Sequence, residues 1–275
     1  MRQTLELVLA GTCFAAGLAC CAGSWRTMLA ARIGIGGAVA RYGVGSLTNT
    51  FLPGRAGDAV RVGLFGRVAP GGVLAVAGAV AAVGALRWLA LVPLGIVGTL
   101  RSTLPPLALV VAAAALLPLP LAWILARRGS RRALAALAPL RCAPRATYAA
   151  VAGWVCGTLM ARLAGVTLAG SALGVPHPLA AALLVVPALE LAGVVPLTPA
   201  NVGIAGGAAA VAFHAQGVPM HAALAAGLGV HAVETVAAVV VGGTSALSLV
   251  RSGVRILPRR WSPFRHRSFP DPFPM

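Results

Sequence analysis

The sequence predicts an all-α fold, a polytopic bundle of membrane helices with about five to seven spans. Its 275 residues are 59% hydrophobic, whereas soluble domains are about 45–50% apolar. Charged residues make up 10% of the chain, compared with about 25% in soluble domains. The mean hydropathy is +0.91. Together these values exclude a soluble globular enzyme, a disordered chain and a fibrous protein.

The first half of the chain contains three long apolar stretches and one interrupted segment. Residues 5–25 form an apolar run that ends at a Trp-Arg pair, a composition typical of a membrane interface. Residues 33–67 are too polar and glycine-rich for an ordinary span, and a Pro-Gly pair at 53–54 interrupts them. Residues 72–99 and 104–126 are apolar, and each stretch is long enough to cross a bilayer.

The second half also alternates between long and short apolar stretches. Residues 147–171 predict a spanning helix with small residues at every fourth position, which lets a neighbouring helix approach closely. This ridge consists of Gly153, Gly157, Ala161, Gly165 and Ala169. Residues 178–196 are apolar and end at a proline, whereas residues 201–216 are short and rich in small residues. Residues 221–249 predict the last helix.

The arginines of the chain predict its orientation in the membrane. The formal net charge is +17, and every basic side chain is an arginine. Most arginines lie in 26–67, in 127–145 and after residue 250. Such clusters mark cytoplasmic loops, so all three should lie on the cytoplasmic side of the cell membrane. We therefore expect one transmembrane domain over 1–250, a basic Pro/Arg-rich cytoplasmic tail over 251–275, and no binding of nucleic acid.

This orientation leaves two segments with a choice of topology. Residues 176–218 must begin and end outside, either as two full crossings or as one re-entrant hairpin that turns near Pro196. Residues 33–67 must begin and end on the cytoplasmic side, again either as two full crossings or as one re-entrant hairpin. If both are re-entrant, two broken hairpins meet near the midplane from opposite faces, as in the inverted repeats of many transport proteins. Residues 178–196 are long enough to span, so both topologies remain open.

The first candidate site lies at the first break, where Asn49 precedes Pro53. Proline suits the first turn of a helix, because the N–H that it lacks would have no partner there. If a helix follows, Arg55, Asp58 and Arg61 share one broad face, and Asp58 can pair with either arginine. The remaining positive charge and the helix N-terminus would favour a phosphate or another anionic headgroup.

The second candidate site lies at the second break and contains Thr198, Pro199, Asn201 and Gly203. Either Thr198 or Asn201 can cap a half-helix that runs to about residue 215. The N–H groups of its first turn would again point towards an anion. Glycines here let a ligand or another backbone approach closely.

The two candidate sites carry a resemblance to a known family. The stretch Asn49, Pro53, Arg55, Gly57, Asp58 and Arg61 has the spacing N-x-x-x-P-x-R-x-G-[ED]-x-x-R. It resembles the flippase-like, or lysylphosphatidylglycerol synthase transmembrane-domain, family over nearly the whole chain. The family's later P-x-[TS]-P-G-G-x-G stretch is altered here, because Ala200 and Asn201 replace its two adjacent glycines. The resemblance implies broken membrane helices and translocation of a phospholipid or a polyprenyl-phosphate-linked lipid.

Several ionisable residues lie inside apolar runs, where such residues are candidates for a functional role. They are Arg87, Arg162, Glu190, His231 and Glu234. The alternative interpretation is that arginine–glutamate pairs hold helices together. A proton-coupled role for either glutamate is a further alternative. The spacing of His231 and Glu234 occurs in metal sites of helical bundles, but without a second such pair we expect no metal.

The function expected from the sequence is translocation of a membrane lipid or a lipid-linked headgroup, with both candidate sites binding the headgroup. The alternative is a non-catalytic membrane subunit that presents lipid to a partner transferase or synthase. Neither a Gly-x-Ser-x-Gly elbow nor an Asp-rich metal motif is present in the sequence. We therefore expect no enzymatic activity and no cofactor. A lipid-modifying enzyme as partner, and a homo-oligomer, both remain compatible with the sequence.

Overall fold

The computed structural model describes residues 1–52, 56–100, 102, 143–193 and 201–254. In these residues the chain forms eight α-helices and no strand. The helices are α1 (Arg2–Met28), α2 (Ile35–Phe51), α3 (Ala56–Gly66), α4 (Gly72–Thr99), α5 (Arg145–Ala172), α6 (Pro178–Ala192), α7 (Val202–His214) and α8 (Met220–Arg251). The predicted all-α class is confirmed.

Four of these helices are long and apolar enough to cross a membrane, namely α1, α4, α5 and α8. They contain 27 to 32 residues. At about 1.5 Å per residue, each exceeds the roughly 30 Å of a bilayer's hydrocarbon core. They coincide with predicted stretches, and the polytopic helical bundle is thereby confirmed. The helix predicted over 104–126 and most of the tail lie outside the described residues.

The other four helices are short and form two helical hairpins. Helix α2 packs against α3, and α6 packs against α7. They contain 11 to 17 residues, so each is only about 17–26 Å long and shorter than the hydrocarbon core. Both predicted breaks are therefore present in the fold, and α6 ends at Ala192, before the end of the stretch predicted over 178–196.

The small-residue ridge of α5 packs against α1, and this contact shows that the two helices are antiparallel. A Cβ atom added to Gly165 would lie 3.1 Å from the Phe14 ring. Towards the other end of the contact, a Cβ atom added to Gly23 would lie 2.6 Å from the Trp154 ring. The residue numbers thus rise along α1 as they fall along α5. The ridge allows the predicted close helix approach at Gly157, beside Cys20, and at Gly165. Its first residue, Gly153, is exposed, and a Cβ atom added there would meet nothing within 4 Å.

The helix contacts form the pattern of an inverted repeat. One half consists of α1 to α4 and the other of α5 to α8, each with a short hairpin between two long helices. In this correspondence α1, α2 and α4 of the first half match α5, α6 and α8 of the second. The contact of α2 with α8 is matched by the contact of α6 with α4. The contact of α1 with α8 is likewise matched by the contact of α5 with α4. Because α1 and α5 are equivalent and antiparallel, the two halves have opposite directions. The buried apolar cluster includes residues from every helix in the described part, so the halves share one core.

Candidate functional site

A cavity of about 290 Å³ lies inside the bundle, and all eight described helices contribute to its lining. The first hairpin contributes Asn49, Asp58 and Arg61. The second contributes Glu190 and Asn201. The cavity therefore brings together polar residues from both breaks of the chain, as the sequence predicts for two broken elements that meet.

Helix periodicity explains which residues of α8 reach the cavity. The lining residues of α8 have the spacing i, i+3, i+4, i+7, which places them on one face of a helix. They are His231, Glu234, Thr235 and Ala238. Two ionisable residues and one hydroxyl group thus lie on the inward face of a spanning helix, where protein rather than lipid surrounds them.

The first polar group, which we call the hairpin cluster, consists of Tyr42, Ser46, Asn49, Gly57, Asp58 and Arg61. Asn49 joins the two helices of the hairpin. Its Oδ1 accepts a hydrogen bond of 2.7 Å from the backbone N–H of Gly57. Its Nδ2 donates to Asp58 Oδ1 at 3.4 Å. One N–H group of the first turn of α3 is therefore already satisfied by the protein, which leaves fewer donors for an anion at that helix end.

Arg61 is held by the helix opposite it in the hairpin. The residue is only 9% exposed. Its Nη2 donates to Ser46 Oγ at 2.7 Å, and its Nε donates to the Tyr42 carbonyl at 3.3 Å. Its Nη1 donates to Asp58 Oδ1 at 2.7 Å. The guanidinium carbon lies 4.0 Å from the centroid of the Tyr42 ring, a cation–π contact.

Two glycines allow α2 and α3 to approach closely. A Cβ atom added to Gly57 would overlap the carbonyl oxygen of Gly45. A Cβ atom added to Gly45 would overlap the Arg61 side chain and lie 2.7 Å from the Gly57 carbonyl oxygen. Four residues of the first motif therefore take part in packing α3 on α2, namely Asn49, Gly57, Asp58 and Arg61.

The second polar group, which we call the ladder, consists of Arg87, Glu190, Arg162 and Glu234. These residues lie on four different helices, α4, α6, α5 and α8. Arg87 Nη2 donates to Glu190 Oε1. Arg162 Nη1 donates to the same Glu190 oxygen at 2.6 Å, and its Nη2 donates to Glu234 Oε1 at 2.7 Å. The sequence interpretation of arginine–glutamate pairs is thus observed.

The two ends of the ladder differ. Glu190 is approached by two guanidinium groups, and its side chain is 14% exposed. Glu234 is bound by Arg162 alone among the arginines that the structure describes, and its side chain is 26% exposed, the most of the four. Arg87 also reaches Cys21 Sγ on α1 at 3.8 Å. Glu190 is thus the firmly held centre of the ladder, and Glu234 is its looser end.

Asn201 connects the helices of the second hairpin. Its Nδ2 donates to the backbone carbonyl of Ala192, at the end of α6, at 2.7 Å. It occupies the N-cap position of α7 with a left-handed φ of 54°, but its side chain makes no capping hydrogen bond. Of the two predicted capping residues, Asn201 makes no side-chain capping bond, because its side chain bonds across the hairpin instead. The other, Thr198, lies outside the described residues.

The cavity contains all the predicted site residues of the described part except Gly203. It includes Asn49, Asp58, Arg61, Asn201, Arg87, Arg162, Glu190, His231 and Glu234. Gly203 is exposed, and a Cβ atom added to it would meet nothing within 4 Å. The predicted residues Pro53, Arg55, Thr198 and Pro199 lie outside the described part. Arg55, the residue expected to add an excess positive charge to the first site, is therefore not described.

Sequence reasoning missed several polar residues of the lining. Tyr42 and Ser46 precede Asn49 on the same face of α2, at the spacing i, i+4, i+7. That spacing is a signal that could have identified them. Cys21 and Thr158 also line the cavity, with 3.6 Å between sulfur and hydroxyl oxygen. Cysteine and threonine are common in apolar helices, so nothing in their sequence context marks these two residues.

Fold and site together define an integral membrane protein of the helical-bundle class, with two broken hairpins around a polar cavity. The chain belongs to the family described as "Lysylphosphatidylglycerol synthase TM region", whose model matches residues 3–242. The match includes every residue of the hairpin cluster and of the ladder. Comparison with curated proteins and with solved structures gives no match. Membership in this family indicates a role connected with membrane lipids.

Proposed function

We propose that this protein binds the phosphate-bearing headgroup of a membrane lipid in the cavity and moves it across the bilayer. The observation that carries the proposal is a polar cavity inside an apolar bundle, lined by arginines and by both broken hairpins. Ionisable side chains at this depth are costly and are kept where they form a pathway or a site. Arginine is the side chain best suited to bind a phosphate through paired N–H groups.

The size of the cavity fits a headgroup rather than a whole lipid. Its volume is about 290 Å³, close to the lower limit of the roughly 300–1,000 Å³ of small-molecule sites. Two acyl chains would not fit in that volume together with the headgroup. In the proposed mechanism the headgroup enters the cavity while the chains stay in the hydrocarbon core.

The inverted repeat supports a transport mechanism. In many transporters with inverted repeats, the substrate site lies between the repeats, near the midplane, where helices are interrupted. Here the cavity lies between two halves of opposite direction, and each half contributes one interrupted hairpin. Movement of one half against the other would expose the headgroup to opposite sides of the membrane in turn.

The proposed substrate is a phospholipid or a polyprenyl-phosphate-linked lipid, and the proposed location is the cell membrane. The basic segments and the tail after residue 250 would face the cytoplasm, as the arginine distribution favours. We also propose that the chain carries out no covalent chemistry. Asp58 is bound by Arg61 and Asn49, and an acid held in this way is poorly placed to act as a general base.

A second function deserves a test because of the description of the family. That description names a transmembrane region of a synthase. The same cavity would serve a non-catalytic subunit that holds a lipid headgroup and presents it to a partner transferase or synthase. In that case the headgroup would bind in the cavity, but the lipid would not change leaflets.

A translocation assay in proteoliposomes tests the proposal. Vesicles would contain phosphatidylglycerol with a fluorescent label on one acyl chain near the headgroup, and a membrane-impermeant reductant would quench the outer leaflet. We expect wild-type protein to make nearly all of the label accessible and Arg162→Gln to return the signal to that of protein-free vesicles. Arg2→Gln is the matched control, because Arg2 is 87% exposed and pairs only with Glu6 among the described acidic residues.

Three outcomes of this assay are informative. Loss of activity in Arg162→Gln but not in Arg2→Gln supports translocation through the cavity. Equal activity of wild type and Arg162→Gln contradicts it. Wild-type protein that retains the lipid during purification but never moves it across the vesicle would favour the presenting subunit.

A further inference from the structure

The two nitrogen atoms on one edge of the Arg162 guanidinium have different environments. Nη2 donates to Glu234 Oε1 at 2.7 Å. Nε is buried and has no hydrogen-bond partner among the described residues. Nε and Nη2 form one edge of the planar guanidinium, the edge that binds carboxylates and phosphates through two parallel bonds. Glu234 therefore uses only half of the binding edge that Arg162 offers.

The opposite side of Arg162 is fixed by the core of the bundle. Nη1 donates to Glu190 at 2.6 Å, and Glu190 is held in addition by Arg87. A buried cationic donor without a partner is costly, and such groups in native structures call for an explanation. A tetrahedral phosphate that took the place of Glu234 would bond both Nε and Nη2 without disturbing Nη1.

We propose that Glu234 is an internal competitor for the substrate phosphate on Arg162. This inference rests on the proposed function, because it assigns that function's headgroup to a particular atom pair. The phosphate displaces the Glu234 carboxylate from Arg162 when the headgroup enters, and the carboxylate returns when the headgroup leaves. Glu234 can make this exchange because it is the least buried member of the ladder and holds a single described arginine.

The exchange explains how a strongly basic group can serve transport. A bare arginine in a cavity of low dielectric would bind a phosphate tightly and release it slowly. Because the Glu234 carboxylate competes with phosphate for the Arg162 guanidinium, it lowers the net affinity for phosphate and favours release. Glu190 is not suited to this exchange, because its displacement from Arg162 would also remove the carboxylate partner of Arg87.

Binding measurements on the purified full-length protein test the inference. The probe is dihexanoyl phosphatidylglycerol, titrated by isothermal calorimetry, with inorganic phosphate in a parallel titration. One charge-assisted hydrogen bond corresponds to a factor of about ten or more. We therefore expect Glu234→Gln to bind the lipid about tenfold more tightly than wild type, and to translocate it more slowly.

Three further single variants and one double variant define the comparison. Glu6→Gln makes the same substitution at a glutamate that pairs with Arg2 and does not line the cavity, so it should leave the affinity unchanged. Asp58→Asn removes a carboxylate from the same cavity but not from Arg162, so it should give a smaller gain than Glu234→Gln. Arg162→Gln should lose binding, and adding Glu234→Gln to it should restore nothing.

Each result supports or contradicts the exchange. Unchanged or weaker binding by Glu234→Gln overturns it, and so does an equal gain in Asp58→Asn, which would attribute the effect to net charge alone. If Glu234→Gln does not fold, Glu234→Asp takes its place: the carboxylate is withdrawn by one methylene, and unchanged affinity again overturns the inference. A gain seen only with inorganic phosphate supports the exchange but contradicts a lipid substrate. No binding of either probe by wild type contradicts both proposals.

Discussion

The hairpin cluster and the ladder line the same cavity but are assembled in different ways. The hairpin cluster lies within residues 42–61 and joins two helices that are neighbours in the sequence. The ladder joins four helices, and its bonded residues are separated by 28 to 103 positions. The first arrangement is local and tightly packed, whereas the second depends on how the two halves of the bundle meet.

From this difference we infer that the recognisable motif is not the place where the ligand binds. The motif residues of the hairpin cluster use most of their polar atoms to pack α3 on α2. The ladder has no continuous motif, yet Arg87 and Arg162 each have a guanidinium edge that is half occupied, because Nη2 bonds a glutamate while Nε has no hydrogen-bond partner among the described residues. We infer that the hairpin cluster builds the cavity wall and that the ladder meets the ligand.

The largest effect on stability is expected for Glu190→Gln. The substitution leaves Arg87 and Arg162 without the carboxylate between them, and breaking a buried ion pair costs about 3–5 kcal/mol. We expect the apparent unfolding temperature in detergent to fall by about 10 °C, as measured by tryptophan fluorescence. Adding Arg87→Gln should recover part of the loss. A shift no larger than that of Glu6→Gln would show that the ladder does not hold the bundle together.

An intermediate effect is expected for Gly57→Ala in the hairpin cluster. The added methyl group would overlap the Gly45 carbonyl oxygen, and overpacking of this kind costs about 1–3 kcal/mol. Gly63→Ala is the matched control in the same helix, because a Cβ atom there meets nothing within 4 Å. Alanine in an open helical position should stabilise by about 0.5–1 kcal/mol. The two unfolding temperatures should therefore move in opposite directions, and movement in the same direction would refute close packing at Gly57.

The smallest effect is expected for Asn201→Gly, and its comparison with Asn201→Ala separates hydrogen bonding from backbone strain. Asn201→Gly removes the bond to the Ala192 carbonyl but accepts the left-handed φ, at a cost of about 1 kcal/mol. Asn201→Ala removes the same bond and adds about 1–2 kcal/mol of backbone strain. Asn201→Ala should therefore unfold at the lower temperature in a thermal scan. Equal temperatures for the two variants would argue against the left-handed backbone at this position.

The helices and their breaks could be predicted from the sequence because their signals are local. Apolar runs identify α1, α4, α5 and α8, and the Pro-Gly pair after Leu52 and the prolines before Asn201 mark the two interruptions. The small-residue ridge of α5 likewise predicts a close helix contact. None of these features depends on a distant part of the chain.

The pairing within the ladder could not be predicted from the sequence. The sequence identifies all four of its residues as ionisable groups in apolar runs, but their partners depend on the rotation and height of four helices. A rotation of one helix by a single residue, about 100°, would move its charged group away from the cavity. For the same reason the contacts of Arg61 with Ser46 and with the Tyr42 carbonyl could not be predicted from the sequence.

The most direct test of the central claim is native mass spectrometry of the purified protein, which asks which lipids stay bound. Wild type, Arg162→Gln, Arg61→Gln and Arg2→Gln would be compared after identical detergent extraction. We predict that wild type and Arg2→Gln retain a phosphate-bearing lipid and that Arg162→Gln loses it, while the folded fraction of Arg61→Gln keeps it. The same bulk lipids on all four proteins, or loss of the bound lipid from Arg61→Gln alone, would contradict the assignment of headgroup binding to the ladder.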